Sequence, residues 1–290
     1  VASDREIKRR IRSIKNISQV TKAMEAVSAS KMRRAQQQVL STRPYAAKAQ
    51  EVLNFLAYLP QGRRRMHPLL QQRPLQKALV VLVTGDRGLA GGFNSHIIRK
   101  ALKFNDDLKK PVSWIAVGRK GRDYMARYGY PIVAEFTRLG DRPTSLDVAP
   151  IARVGAEEFA AGRVDAVYVC YTDFINVLRQ VPRIKQLLPI EPIQPQLRWS
   201  RDYIFEPDVE SILDRILYRF LELQVLQAVY ESIASEHAAR MVAMRNATDA
   251  ALELIEELTL SYNKARQERI TREILDIAGG AEALRQVQEQ

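Results

Sequence analysis

Two stretches of this chain contain neither glycine nor proline: residues 1–43, and residues 208–278, a run of 71. Glycine and proline punctuate secondary structure, so their absence over such lengths predicts continuous helix. At about 1.5 Å per residue the two stretches make rods of roughly 65 and 105 Å. An average globular helix has only about 11 residues. Apolar residues recur at steps of three or four in both. The first stripe is Ile7, Ile11, Ile14, Ile17, Val20, Met24 and Val27. The second is Leu213, Leu217 and Phe220, then Met241, Met244, Thr248, Ala251, Leu254 or Ile255, Leu258 and Tyr262. Stripes this narrow predict a coiled-coil seam. Ser3 and Glu6 fit a capping box, and Pro207 with Asp208 and Glu210 suits a helix start. Gly279-Gly280 permits a break or cap near the end of the second helix.

The middle of the chain, residues 75–195, changes period. Lys77–Thr84, Ser113–Val117 and Val164–Thr172 read as buried strands rich in valine. Asn94–Leu108, Arg119–Tyr128 and Asp147–Ala161 read as the helices between them. This alternation predicts a mainly parallel, Rossmann-like α/β sheet covered on both faces. Val177–Leu188 is expected to add an antiparallel edge strand, where Pro182 is tolerable. Proline-broken linkers, Pro60–Pro74 and Pro189–Pro195, flank this domain. The predicted organisation is an N-terminal helix over 1–59, an α/β domain over 75–195 and a C-terminal helix over 207–286, the two helices forming one antiparallel coiled coil.

Both helices attach to the same small domain, so the simplest packing sends them out together. If they start level, the C-terminal helix overshoots its partner by roughly 20–30 residues, or about 30–45 Å. The overshooting end carries Ile270, Ile274, Ile277, Ala278, Ala281 and Leu284. Apolar surface of that kind needs burial elsewhere, which implies an oligomeric sleeve.

Charge narrows the partner without choosing it. The formal net charge is +12, and residues 1–34 hold ten Lys or Arg against Asp4, Glu6 and Glu25. An anionic partner follows, whether nucleic acid, membrane surface or acidic protein. No run approaches the roughly 18 apolar residues of a membrane span. The single cysteine, Cys170, lies in an apolar β-rich segment and reads as a buried structural thiol.

Catalytic chemistry is not legible. The loop Gly85–Asn94 follows a strand and opens a helix. It lacks the Gly-Lys-Ser/Thr of a P-loop and the spacing of a dinucleotide fingerprint. It reads as a tight strand-to-helix turn or as a partner-docking loop, in which Asp86, Arg87 and Asn94 are the candidates. His67, His96 and His237 are scattered, with no metal-ligand spacing. No nucleophile–base constellation appears.

Read as letters, the first helix holds Ile7-Lys-Arg-Arg-Ile-Arg-Ser-Ile-Lys-Asn16, Val20-Thr-Lys-Ala-Met-Glu-Ala-Val27 and Ala29-Ser-Lys-Met-Arg-Arg-Ala35. The C-terminal half holds Ser235-Glu-His-Ala-Ala-Arg-Met-Val-Ala-Met-Arg-Asn-Ala-Thr-Asp249, Tyr262-Asn-Lys-Ala-Arg-Gln267 and Ile270-Thr-Arg-Glu-Ile-Leu-Asp-Ile-Ala-Gly-Gly-Ala281. Together with Thr84–Asn94, these blocks resemble, in order and end to end, the gamma subunits of F-type ATP synthases. The resemblance implies a non-catalytic rotor shaft that couples proton flow through a membrane c-ring to ATP synthesis or hydrolysis. It implies one copy per complex inside a ring of alpha and beta subunits, with the α/β domain as a foot on the c-ring beside epsilon. No cofactor, direct nucleotide binding or nucleic acid is implied.

By position, Arg266, Gln267, Thr271 and Glu273 resemble a polar cluster that meets a loop of beta at the collar. Lys22, Met24 and Lys31, with Arg240, resemble the region facing the acidic lever helix of beta. Glu268 and Arg269 depart from the small residues often found beside the collar signature, which suggests a rewired contact. No inserted cysteine pair interrupts the middle domain, so the thiol switch of chloroplast relatives is expected to be absent. With no transit-like start, this points to a bacterial form, peripheral on the cytoplasmic face of the plasma membrane. A nucleic-acid-binding protein with a basic coiled-coil arm is the rival reading. It lacks interleaved aromatics and an RRM signature. A nucleotide-dependent enzyme fails on phosphate-loop chemistry.

Overall fold

The computed structural model describes residues 4–57, 67–190 and 209–288. Among the described residues, five α-helices and five strands run in the order α1 (Asp4–Ala57), β1 (Ala78–Val83), α2 (Phe93–Leu108), β2 (Val112–Val117), α3 (Arg119–Arg127), β3 (Ile132–Phe136), α4 (Ser145–Ala160), β4 (Ala166–Phe174), β5 (Gln180–Leu188) and α5 (Val209–Gln288). α1 has 54 residues and continues through Pro44, and α5 has 80. The proposed caps at Ser3, Pro207 and Asp208 lie outside the described residues. The break or cap that Gly279-Gly280 permits is not taken, because α5 runs through both glycines. Neither adopts a left-handed φ. Each costs a helix about 1 kcal/mol relative to alanine, too little to end one flanked by good helix formers.

The chain divides into two compact units, one built from its two ends (Val1–Ala26 with Ala243–Gln290) and the other spanning Val27–Val242. In the second unit the sheet order is β3-β2-β1-β4-β5. The first four strands run parallel, and β5 returns antiparallel to β4 with Pro182 opposite Thr172. The edge strand expected around Pro182 is therefore present. β3 is an addition to the sequence reading. It is only five residues long and lies at the other edge, half-buried on alternate positions, so its apolar signal is weak.

Valine alternation along the strands builds two cores, one on each face. Ala78, Val80, Leu82, Trp114 and Cys170 pack with Ile97, Ile98, Ala101 and Met125 from α2 and α3. Leu79, Val81, Ile115, Val117, Val167 and Val169 pack with Ile151 and Phe159 of α4, and with Leu213, Leu217, Phe220, Leu221 and Val225 of α5. Each fully buried residue of this kind is worth about 1.5–3 kcal/mol. The stripe at Leu213, Leu217 and Phe220 is thus sheet-facing rather than coiled-coil seam. It gives the Val27–Val242 unit its own share of both terminal helices.

Cys170 is fully buried, and burial pushes its thiol pKa up to about 12. The native chain should therefore resist a thiol reagent near pH ~8 and label stoichiometrically once unfolded. Rapid labelling of the native chain would contradict the described core.

In the unit made of the two ends, α1 and α5 pair antiparallel. Asp4 meets Arg269 at 3.3 Å, Thr21 meets Thr248 at 2.7 Å, and Glu25 meets Arg245 at 2.9 Å. The regular inward positions of α5 in this unit are Met244, Thr248, Ala251, Ile255, Leu258, Tyr262 and Ala265, spaced by fours and threes, with Ala243 and Ala247 half-buried beside them. Ile255 rather than Leu254 faces inward. On α1 the inward positions Ile7, Ile11, Ile14, Ser18 and Thr21 keep the same heptad. The apolar stripe read from the sequence drifts off this seam: Ile17 and Val20 are 53% and 58% exposed. Beyond Ile14 small hydroxyl residues, Ser18 and Thr21, hold the seam, which permits close helix approach, and Ile17 and Val20 face outward.

Candidate partner-contact sites

The first candidate is the free end of α5. Asp4, the first described residue of α1, is paired with Arg269, so the 19 residues from Ile270 to Gln288 extend beyond that pairing. At about 1.5 Å per residue this is ~28 Å of helix. Within it Ile274, Leu275 and Ile277 are 60%, 63% and 73% exposed. Arg266, Gln267, Thr271 and Glu273 are all exposed beside these apolar residues. Residues 266 and 273 lie two turns apart along one face, and 267 and 271 lie one turn apart along another, about 120° round the helix. Glu273 accepts a bond from Arg269 at 3.3 Å, and Arg269 also reaches Asp4. The departure at position 269 thus closes the end of the paired segment.

The second candidate region divides. Lys22 is exposed and Met24 is half-buried on α1. Lys31 forms a 2.7 Å ion pair with Asp141, in the loop after β3. Arg240 corrects the sequence reading, because it is 7% exposed and turned inward. Its Nε and Nη2 donate to the carbonyl of Gly88 at 3.4 and 3.2 Å, and Nη1 lies 3.2 Å from Nδ1 of His237. Its Nη2 also pairs with Glu236, one turn earlier. A guanidinium with its donors spent internally is a positioning group for the loop after β1.

That loop, the third candidate, is chiefly a structural turn. Asp86 accepts from the backbone N–H groups of Arg119 and Arg138 at 3.0 and 2.9 Å, joining the start of α3 to the segment after β3. A carboxylate at a helix N-terminus is also favoured by the helix dipole. Asn94 accepts from Gly85 N–H at 2.9 Å and donates to Arg87 C=O at 3.3 Å. Gly85 leaves room for Glu236, since a Cβ there would lie 2.8 Å from the carboxylate and oblige it to shift. Arg87 and Leu89 alone among its larger side chains point outward, Leu89 at 65% exposure and a φ of 60°.

At the carboxyl ends of β1 and β2, where open α/β sheets commonly bind ligands, Thr84, Asp86, Gly118, Arg138, Ser232 and Glu236 line a cavity of about 50 Å³. Small-molecule pockets are about 300–1,000 Å³, so this space suits water and excludes a nucleotide. α5 fills the crevice. Where β4 outruns β1, the N–H of Thr172 donates to Ser232 Oγ and its C=O accepts from Ser235 Oγ, each at 3.1 Å. Tyr230 OH donates to Pro143 C=O at 2.6 Å.

Sequence reasoning missed the cluster of Asp141, Glu236 and His237 in this region. Glu236 and Arg240 stand one helical turn apart, a readable pairing. Asp141 carried no signal, being brought in by the sheet.

Among the described residues no helix is long and apolar enough to cross a membrane. The profile of a family described as ATP synthase matches residues 3–284. The ATP synthase gamma chain of Dehalococcoides mccartyi is 51% identical over 284 residues, covering 98% of this chain and 100% of that one. The gamma chain of Roseiflexus castenholzii is 51% identical over 286 residues, covering 97% and 98%. Among solved structures, the central stalk and c-ring of Tetrahymena thermophila mitochondrial ATP synthase matches with a TM-score of 0.61 at 26% identity, over 79% of this chain and 99% of that one. A chain of the Euglena gracilis mitochondrial OSCP/F1/c-ring assembly shares the fold with a TM-score of 0.66 at 20% identity, over 97% and 94%.

Proposed function

This chain belongs to the ATP synthase gamma-chain family, and from that premise we propose how its surfaces divide the work of a rotor. It is the central-stalk shaft of an ATP synthase, a non-catalytic subunit of a catalytic complex. Alpha and beta subunits surround the shaft, and epsilon and the c-ring join it at the α/β domain. The subunit is peripheral to a bacterial plasma membrane, on the cytoplasmic face.

The carrying observation is the exposed apolar end of α5 beyond Arg269. Apolar surface left in water on one helix is stabilised only when other chains cover it. Arg266, Gln267, Thr271 and Glu273 then give the covered end a polar, orientation-dependent contact with beta. Lys22 and Met24 offer a second contact to an acidic segment of beta. Arg87 and Leu89 are the outward groups of the loop after β1, suited to docking at the foot. Rotation does work only if these contacts differ among orientations, because equal binding in every orientation shifts no equilibrium.

Co-purification with stoichiometric alpha and beta subunits tests the reading; tight nucleic acid without those subunits would support the rival. Replacing Arg266 and Glu273 together with alanine should slow ATP turnover of the reconstituted complex about three- to tenfold, the range expected for losing charge-assisted bonds of about 1 kcal/mol. Exposed helix positions should leave the urea midpoint nearly unchanged. Unchanged turnover would remove both residues from the mechanism.

A further inference from the structure

His237 is buried on α5 between two partners that fix its chemistry. Its Nε2 lies 3.0 Å from Asp141 Oδ1, and its Nδ1 lies 3.2 Å from Arg240 Nη1. A guanidinium only donates, so Nδ1 must carry a lone pair, and the ring proton sits on Nε2 and is donated to Asp141. Beyond Asp141 the chain of contacts reaches Lys31 of α1 at 2.7 Å. Beyond Arg240 it reaches Glu236 and the carbonyl of Gly88. One imidazole therefore links the loop after β3, the loop after β1, α1 and α5.

We propose that Asp141, His237 and Arg240 form a proton-gated buckle: neutral His237 fastens the two strand-end loops to the terminal helices, and protonation at Nδ1 releases the loop after β1. A proton at Nδ1 would set two N–H donors against each other 3.2 Å apart and displace Arg240 from the geometry in which it holds Gly88. The charged groups facing the ring are Glu236 and Arg240 from α5 and Asp141 from the loop after β3, with Lys31 from α1 behind Asp141. The loop after β1 presents the Gly88 carbonyl, to Arg240.

Burial pushes the His237 pKa below its ordinary 6.5, although the carboxylates of Glu236 and Asp141 pull the other way. Burial also raises Asp141, but its bonds to Lys31 and His237 outweigh this and hold it below its ordinary 3.8, so it stays ionised. The unfolded chain takes up the histidine proton first on acidification. The stability tied to neutral His237 is thus present above the ordinary 6.5 and falls as pH drops toward the folded value. As a device in torque transmission the buckle rests on the rotor reading, since a loosened foot would store less twist.

Hydrogen exchange of the full-length chain, alone and in the assembled complex, tests it at about pH 7.5 and about pH 5.5. After correction for intrinsic exchange, amides of residues 85–92 should exchange about tenfold faster at the lower pH. His237→Gln, whose amide can donate to Asp141 and accept from Arg240, should abolish that step. Nitrogen NMR of the imidazole at neutral pH should show the Nε2–H tautomer. An equal step in the glutamine variant, or an Nδ1–H tautomer in the native chain, overturns the buckle. A complex that assembles and turns over without the step refutes the buckle alone. A chain that shows the step yet ignores alpha and beta refutes the rotor reading instead.

Discussion

Gly118→Ala should destabilise the α/β unit by about 3–5 kcal/mol, the sum of left-handed strain and overpacking. Gly118 precedes α3 with φ 90° and ψ 142°, a conformation that a side chain resists. A Cβ there would lie 2.1 Å from the carbonyl oxygen of Thr84 and 2.7 Å from its carbon. Backbone cannot rotate aside as a flexible side chain can. Thr84 is also held in place: its N–H donates to Val117 C=O at 2.8 Å, its hydroxyl donates to the same oxygen at 3.0 Å, and that hydroxyl accepts from Gly121 N–H at 2.8 Å. Relief would require parting β1 from β2 at their carboxyl ends. A fall in the urea midpoint, with Cys170 labelling at lower denaturant than in the native chain, is the expected result. A loss of less than about 1 kcal/mol would mean that the strand ends yield more readily than packed interiors do.

The long helices were legible because their evidence is local and cumulative: no glycine or proline, and apolar residues every three or four positions. Which face turns inward was less legible on α1. Ile17 and Val20 looked like seam, yet Ser18 and Thr21 are the buried positions. Burial on a two-helix seam depends on heptad register, and a reading by hydrophobicity follows branched residues onto the outer face. The spacing of Leu213, Leu217 and Phe220 marks an apolar helix face but not the sheet that it covers. Periodicity shows that a face is buried and leaves its partner open. β3 escaped because an edge strand of five half-buried residues has little apolar contrast.

The candidate contacts divided along the same line. Arg266, Gln267, Thr271 and Glu273 are exposed on two adjoining faces of α5, and testing them belongs to the complex. Asp86 and Asn94 stand out as polar groups of a strand-to-helix loop, but both spend their side chains on neighbouring backbone groups. The outward group that composition did not single out is Leu89. Contacts such as Asp141 with Lys31 and His237 join residues about a hundred positions apart, and no spacing rule reaches that far.

Arg240→Met carries the second large expectation, a loss of about 3 kcal/mol, near the lower end for breaking a buried ion pair. Methionine fills most of the volume, so the effect isolates charge and hydrogen bonding from cavity formation. Removal of the guanidinium strands three groups: the carboxylate of Glu236, the carbonyl of Gly88, and Nδ1 of His237. Glu236 would be left with little solvent to replace its partner, because its side chain is only 16% exposed. Arg240→Lys should recover only part of the loss, since an ammonium cannot present the planar fork that serves several acceptors at once. Glu236→Gln combined with Arg240→Met should recover more than lysine does, because no uncompensated charge then remains. A double-mutant cycle on these two positions should return a coupling of about 2 kcal/mol. Urea midpoints at neutral pH supply all four corners. If Arg240→Met cost no more than an ordinary surface change, about 0.5 kcal/mol, with turnover of the complex falling instead, Arg240 would be a contact to beta after all.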